Sequence, residues 1–338
     1  MTKILRLHTA QSKPDLWETL KSPTHPLSAA WPTFLDQDKY FQHYCEKLDK
    51  IEAFAAMQYA IVEVDAYGKE NIIACGRSVP FYWPELDQIG GKKGLRQHPE
   101  VLHTLPDEGY DAILSRAFEQ QLAREGTVQD MGVVMPLPDP ARTRTEPPNA
   151  LSAISITVSP KYRSQGLADI LIMAMKQTAI ELDYDAMVVP LRPTRKSDFP
   201  TIRMRDYLSW PAKVAPGCAI YQKENRPNPN LPFDPWLRKH IRLGARVIKV
   251  APKSMLVEGS VEEWQQWTGV KFSQLIGNTD TPLKKESGSG KMYLEAVFPN
   301  GLVPLRYYVD EQCCVYQEPN IWLYHELPLG SLCAEAIL

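Results

Sequence analysis

Residues 151–182, LSAISITVSPKYRSQGLADILIMAMKQTAIEL, leave this chain few ways to fold. Leu151–Val158 alternates apolar and polar side chains and stops at Ser159-Pro160, where a sheet ladder loses a donor. From Gly166 onward, Leu167, Ile170, Leu171, Ala174, Met175, Thr178 and Leu182 recur at helical spacing, and Ala186–Leu191 follows as a short apolar strand. Strand, helix and strand of these lengths make a parallel crossover. The turn inside it is Arg163-Ser164-Gln165-Gly166-Leu167-Ala168. A helix start carries N–H groups with no helical partner and a positive dipole end, so this turn predicts an anion site suited to a diphosphate.

Glycine spacing narrows the guest. A dinucleotide fingerprint wants three glycines and an acidic residue further on, and only Gly166 stands in this turn. A triphosphate loop wants Gly-Lys-Ser/Thr; Gly288-Ser289-Gly290-Lys291 comes closest but lacks the spacing and a following helix.

Around the crossover, the segment 34–56 has helical apolar spacing, and 58–65 with 71–79 reads as a hairpin across Ala66-Tyr67-Gly68-Lys69. Asp111–Arg124 predicts a helix. So does Asp234–Leu243, with an Asp cap, Pro235 in the first turn and Gly244 past its end. Beyond it, Arg246–Val250 and Ser254–Gly259 read as strands, 260–269 as a short helix and 303–327 as hairpins. Proline reaches 29 residues, many clustered in loops at about 136–150 and 190–233. The expected organisation is a core over 1–252 carrying those insertions, and a β-rich extension over 253–338 packed on it.

A net charge of −2 gives no general attraction to nucleic acid or anionic lipid, and no apolar run has a membrane-spanning length. The six cysteines, Cys45, Cys75, Cys218, Cys313, Cys314 and Cys333, show no metal-ligand spacing. Adjacent Cys313 and Cys314 point to opposite faces of a strand. The expectation is a cytoplasmic protein with reduced thiols, no metal, no nucleic-acid partner and no membrane partner. Its oligomeric state is open, a homodimer included.

With Arg163, Gly166 and Ala168 between the strand ISITVSP and a helix, and with Lys239-His240-Ile241-Arg242-Leu243-Gly244-Ala245-Arg246 at a later helix end, the chain resembles the GNAT acyltransferase superfamily. The resemblance covers roughly 50–80 and 150–250. It implies an α/β fold with a mixed, mostly antiparallel central sheet flanked by helices, here with an added C-terminal β-rich extension. It also implies acetyl-CoA or another acyl-CoA as co-substrate. The N–H groups of Arg163, Ser164, Gln165, Gly166, Leu167 and Ala168 would hold the pyrophosphate, and the backbone of Ile156, Thr157 and Val158 would pair with the pantetheine arm. The family's acid is a tyrosine four residues before the Leu-Gly glycine. That position is His240 here, making it the expected catalytic residue.

The expected reaction is direct transfer of an acetyl or longer acyl group to a small amine or amino-acid-like acceptor, since no activated cysteine or serine stands near a base. A non-catalytic acyl-CoA binder, O-acyl transfer, thioester hydrolysis and decarboxylation are the alternatives. Glu63, Asp107, Glu108 and Glu258 are candidate bases. Arg192 and Arg195, leaving the strand after the turn helix, are expected to grip an anionic group of the acceptor.

Overall fold

Strand β4 (Ala150–Val158) lies at the centre of the sheet and meets its two neighbours unequally. The computed structural model describes residues 4–126, 137, 139–212, 231–272 and 282–329. The other strands are β1 (Ile4–Thr9), β2 (Gln58–Val64), β3 (Glu70–Phe81), β5 (Ala186–Leu191) and β6 (Ala245–Gly259), followed by β7 (Lys284–Lys285), β8 (Met292–Ala296), β9 (Leu305–Tyr308) and β10 (Cys313–His325). They join in the order β1-β2-β3-β4-β5-β10-β9-β8-β7, and β6 also pairs with β10. Only the β4–β5 contact is parallel, as the crossover requires.

β3 runs against β4 from Ala74↔Val158 to Phe81↔Ala150. β5 pairs with β4 only at Ala150↔Ala186, Leu151↔Met187 and Ser152↔Val188. Beyond Val188 the two strands separate, while β5 keeps its ladder to β10 through Ile321↔Leu191. Pro190, which has no N–H to give, sits in the part of β5 that β4 has left. The gap therefore opens toward the C-terminal ends of both strands.

Each sheet face has its own core. The helix Leu167–Glu181 lays Leu167, Leu171, Ile172, Met175 and Ala179 on one face, with Ile61, Ala74, Leu151 and Leu237. Its approach to β3 demands a glycine: a Cβ on Gly76 would stand 2.6 Å from Met175 Cε. Gly76→Leu is therefore expected to cost about 1–3 kcal/mol by overpacking, read as a lower urea midpoint. The helix Gly109–Glu125 covers the other face, with Phe34, Tyr44, Phe81, Phe118 and Trp322 in one buried cluster.

Three expectations change. The segment 34–56 is not one helix: Asp38 and Ile51 are extended, and they start the short helices Lys39–Tyr44 and Glu52–Ala55. Arg246–Val250 and Ser254–Gly259 are one strand, β6, in which Pro252 sits at an irregularity opposite β10 between the Glu318 and Asn320 pairings. A bulge absorbs a residue without an N–H, so the proline does not end the strand. The boundary at 252/253 consequently cuts β6, and β10, placed in the expected extension, is an inner strand between β5 and β6. The added C-terminal strands are β7, β8 and β9. Of the proline-rich loops, residues 136, 138 and 213–230 lie outside the described residues, as do Cys218 and Cys333. In the described part, Phe199, Tyr207, Trp210 and Phe233 pack edge to face. Cys45, Cys75, Cys313 and Cys314 are free thiols.

Candidate active site

The turn ahead of the helix Leu167–Glu181 is shaped for a ligand. Ser164 (φ 63°) and Gly166 (φ 80°) both take the left-handed conformation, which turns successive N–H groups to one side. The N–H groups of Arg163, Ser164, Gln165, Gly166, Leu167 and Ala168 donate to no described residue, and no side chain caps the helix. A Cβ built on Gly166 would meet nothing within 4 Å, so the space in front of the turn is open. Arg163 is exposed beside it. Asp169, in the first turn, would oppose an anion there, but Lys239 from the helix Pro235–Arg242 is paired with it. The turn, its exposed arginine and the compensated aspartate fit a diphosphate.

Along the gap, Ser155, Ile156, Thr157 and Val158 face Arg77, Gly76, Cys75 and Ala74 of β3 on one edge only. In an antiparallel pair, alternate residues aim their N–H and C=O away from the partner, so β4 offers unpaired backbone to the gap. Ile156 and Val158 pack toward the turn helix. Thr157 is on the other side, where its Oγ1 accepts a hydrogen bond of 2.8 Å from Trp31 Nε1.

His240 comes from the helix Pro235–Arg242, which Asp234 caps through Oδ1 to the N–H groups of Trp236 and Leu237. It is fully buried, with its ring edge-on to Trp236 and its Nδ1 3.0 Å from His325 Nε2. Its Nε2 has no hydrogen-bond partner among the described residues. Burial, with the neighbouring His325 and Lys239, pushes His240 down to about 3. Burial and Lys176 push His325 down to about 4 against the pull of the Leu243 backbone. Both rings are therefore neutral at neutral pH. A role for His240 must use a neutral imidazole N–H rather than an imidazolium.

The arginines after β5 are already compensated. Arg192 Nε donates to both oxygens of buried Glu318 at 2.9 and 3.1 Å, and its Nη2 donates to the Asn300 carbonyl. Arg195 pairs with Asp198 at 2.7 Å and lies over the Phe233 ring. Each charge thus already meets a carboxylate in the protein, which lowers its pull on an anionic acceptor. The candidate bases are engaged too. Glu63 accepts from the Tyr162 hydroxyl at 2.5 Å, and Asp107 and Glu258 pair with Lys249 and Lys39 at 2.8 Å. Glu108 lies 3.9 Å from Lys253.

Sequence reading passed over a second polar group, on the face opposite the turn helix. Asp38 and Asp111 are buried side by side near the Leu256 N–H of β6. Asp38 Oδ1 caps the helix Lys39–Tyr44 through the Phe41 N–H at 2.8 Å, and Asp111 Oδ2 accepts from Leu256 at 3.1 Å. Asp38 Oδ2 and Asp111 Oδ1 receive no donor from any other described residue, the two carboxyls meet each other, and neither is in an ion pair among the described residues. Burial pushes Asp38 up to about 6, and burial with the Asp38 charge raises Asp111 well above the carboxylate range. The only sequence signal was the Asp-Lys-Tyr-Phe cap at 38–41. Among the described residues no three His, Cys, Asp or Glu side chains converge as metal ligands, and no helix is long and apolar enough to cross a membrane.

No family model matches the chain. An arginine N-acetyltransferase of Aspergillus versicolor is 34% identical over 323 residues, covering 95% of this chain and 93% of that protein. Among solved structures, the loading GNAT-like domain of CurA from Lyngbya majuscula superposes with a TM-score of 0.45 at 13% identity, over 96% of this chain and 98% of that one. The polyamine N-acetyltransferase of Drosophila melanogaster, which forms N-acetylagmatine, gives a TM-score of 0.36 at 12% identity, over 96% and 100%.

Proposed function

The chain belongs to the GNAT acyltransferase superfamily, and from that premise we propose that it transfers the acetyl group of acetyl-CoA to arginine or a closely arginine-like amine. It is an N-acyltransferase, and the acceptor follows from one observation. Sequence identity of 34% to an arginine N-acetyltransferase runs through nearly the whole of both chains, not only the turn and its helix. Free Cys45 and Cys75 suit action in the reducing cytosol.

The thioester supplies the activated acyl group; the rest is the work of this chain. The N–H groups of Arg163–Ala168 hold the diphosphate, with the Arg163 guanidinium at its flank. The unpaired backbone of Ile156, Thr157 and Val158 receives the pantetheine arm as an added strand. At His240, Nε2 is the atom that passes a proton to the departing sulfur. The proton that Nε2 gives up is replaced by the one the attacking amine loses as the amide bond forms and the C–S bond breaks, so His240 and His325 both end neutral, with His240 Nδ1 still bonded to His325 Nε2.

Incubation with acetyl-CoA and arginine, followed by mass spectrometry, is expected to yield acetylarginine and free CoA in equal amounts. Acetyl-CoA at 100 times its Kd should stabilise the protein by about 2.7 kcal/mol in a melting experiment. Stabilisation by a nicotinamide dinucleotide in its place would overturn the diphosphate assignment, and absence of acetylarginine would overturn the acceptor.

A further inference from the structure

We propose that Asp38 and Asp111 form the guanidinium receptor of the acceptor, their oxygens Asp38 Oδ2 and Asp111 Oδ1 taking the N–H groups of the cation. The inference deepens the arginine reading and rests on it. Three observations carry it.

The first is the want of a cation. Two carboxyls, 0% and 2% exposed, meet each other, keep one oxygen each without a donor from any other residue, and pair with no described cation. An ionised pair in that setting is costly, so the empty site is stable only when the two share a proton. The groups around them do not replace a cation. Tyr40 and Tyr110 lie close to the pair and Glu318 adds negative charge to Asp111, while the cation Arg77, which acts on Tyr110, donates to the Cys45 carbonyl and to neither carboxyl.

The second is placement. Ile321 pairs with Leu191 at the end of β5, so Glu318 and Asn320 of β10 lie just past that end. Leu256, whose N–H meets the acid pair, is opposite Gln317 at the same level. The segment that starts at Trp31, bonded to Thr157 of β4, ends at Asp38 beside β6. It thus links β4, whose Thr157 borders the gap, to β6, whose Leu256 borders the acid pair. Entry of the acceptor needs outward movement of the six-residue helix Lys39–Tyr44, which Asp38 caps.

The third is chemistry. A guanidinium stays charged when desolvated and presents planar N–H forks to carboxylates, whereas an ammonium loses its proton more readily in such a site. No third ligand converges for a metal ion among the described residues. On binding, the shared proton leaves to solvent as the cation enters, and no covalent bond changes.

The test compares arginine with citrulline, its uncharged counterpart of equal length, as acceptors for the full chain. The wild type should prefer arginine by about 100-fold or more in kcat/KM, and Asp111→Asn should collapse that preference at least about 30-fold, chiefly through KM for arginine. Asp38→Asn should do the same, since asparagine preserves the helix cap. Calorimetry of arginine binding in two buffers of different ionisation enthalpy should show a proton released by the wild type and none by Asp111→Asn. A wild type that acetylates arginine and citrulline equally well would overturn the receptor while leaving the arginine reading standing. So would variants that lower both substrates alike. Failure to acetylate arginine at all would overturn both.

Discussion

Replacing Arg163 and Gly166 together by glutamate is expected to abolish acetyl-CoA binding, with Kd raised more than about 100-fold, while the protein stays folded. The reasoning is local. Gly166 holds φ 80° at the helix start, and a Cβ there faces open space, so the cost to the fold is only the left-handed conformation, about 1–2 kcal/mol. Two carboxylates would enter a site whose only attraction for a diphosphate is a fan of N–H groups, the helix dipole and one guanidinium. Titration followed by calorimetry checks the loss, and circular dichroism checks the fold. Undiminished binding would remove the turn from the site.

The second large effect concerns the histidine pair. His240 and His325 are held at about 3 and about 4, whereas an unfolded histidine titrates near 6.5. Between those values the unfolded chain binds more protons than the native one, so stability rises with pH there and is lost as pH falls below about 6.5. The loss by pH 4 is on the order of 6 kcal/mol for the pair. Asp38, raised to about 6, acts with the opposite sign, its contribution falling as pH climbs from about 4 to 6. A double change His240→Gln, His325→Gln removes the first effect and leaves the second. Its denaturation midpoint should therefore gain on the wild type between pH 7.5 and 4.5. If His240 Nε2 also delivers the proton, His240→Gln alone should lower kcat about 100-fold or more without changing the Kd of acetyl-CoA. Full turnover would leave His240 with a packing role only.

What could be read from the chain beforehand divides along physical lines. The crossover from Leu151 to Leu191 was legible because its signals are local: alternation, helical spacing and a glycine at the helix start. The cap of Asp234 with Pro235 and Gly244 was legible for the same reason. β6 was misdivided because Pro252 looks like a strand breaker, and only the partner strand reveals the irregularity that accommodates it. Arg192 read as a free cation because Glu318, its counterion, arrives from a distant strand. The acid pair was invisible because residue 38 belongs to an interrupted helical pattern and residue 111 to a helix start, and only the fold sets them together. Burial of His240 was equally hidden, since Lys239 and Arg242 around it suggest a wet helix end.

The place of β10 bears on how this protein comes to be made. β5 and β6 do not pair with each other; each pairs with β10. Ribosomal synthesis delivers the turn, the helix Leu167–Glu181 and His240 long before residues 313–325 emerge. Until they do, β5 has only its three pairings with β4, and His240 lacks His325. Such contacts of long sequence separation form late and slowly. A nascent chain therefore carries the turn proposed to bind the diphosphate early but cannot yet close the sheet beside it. The proposed site is complete only once the last described strand arrives, and a chain released before it would expose the apolar edges of β5 and β6 to aggregation.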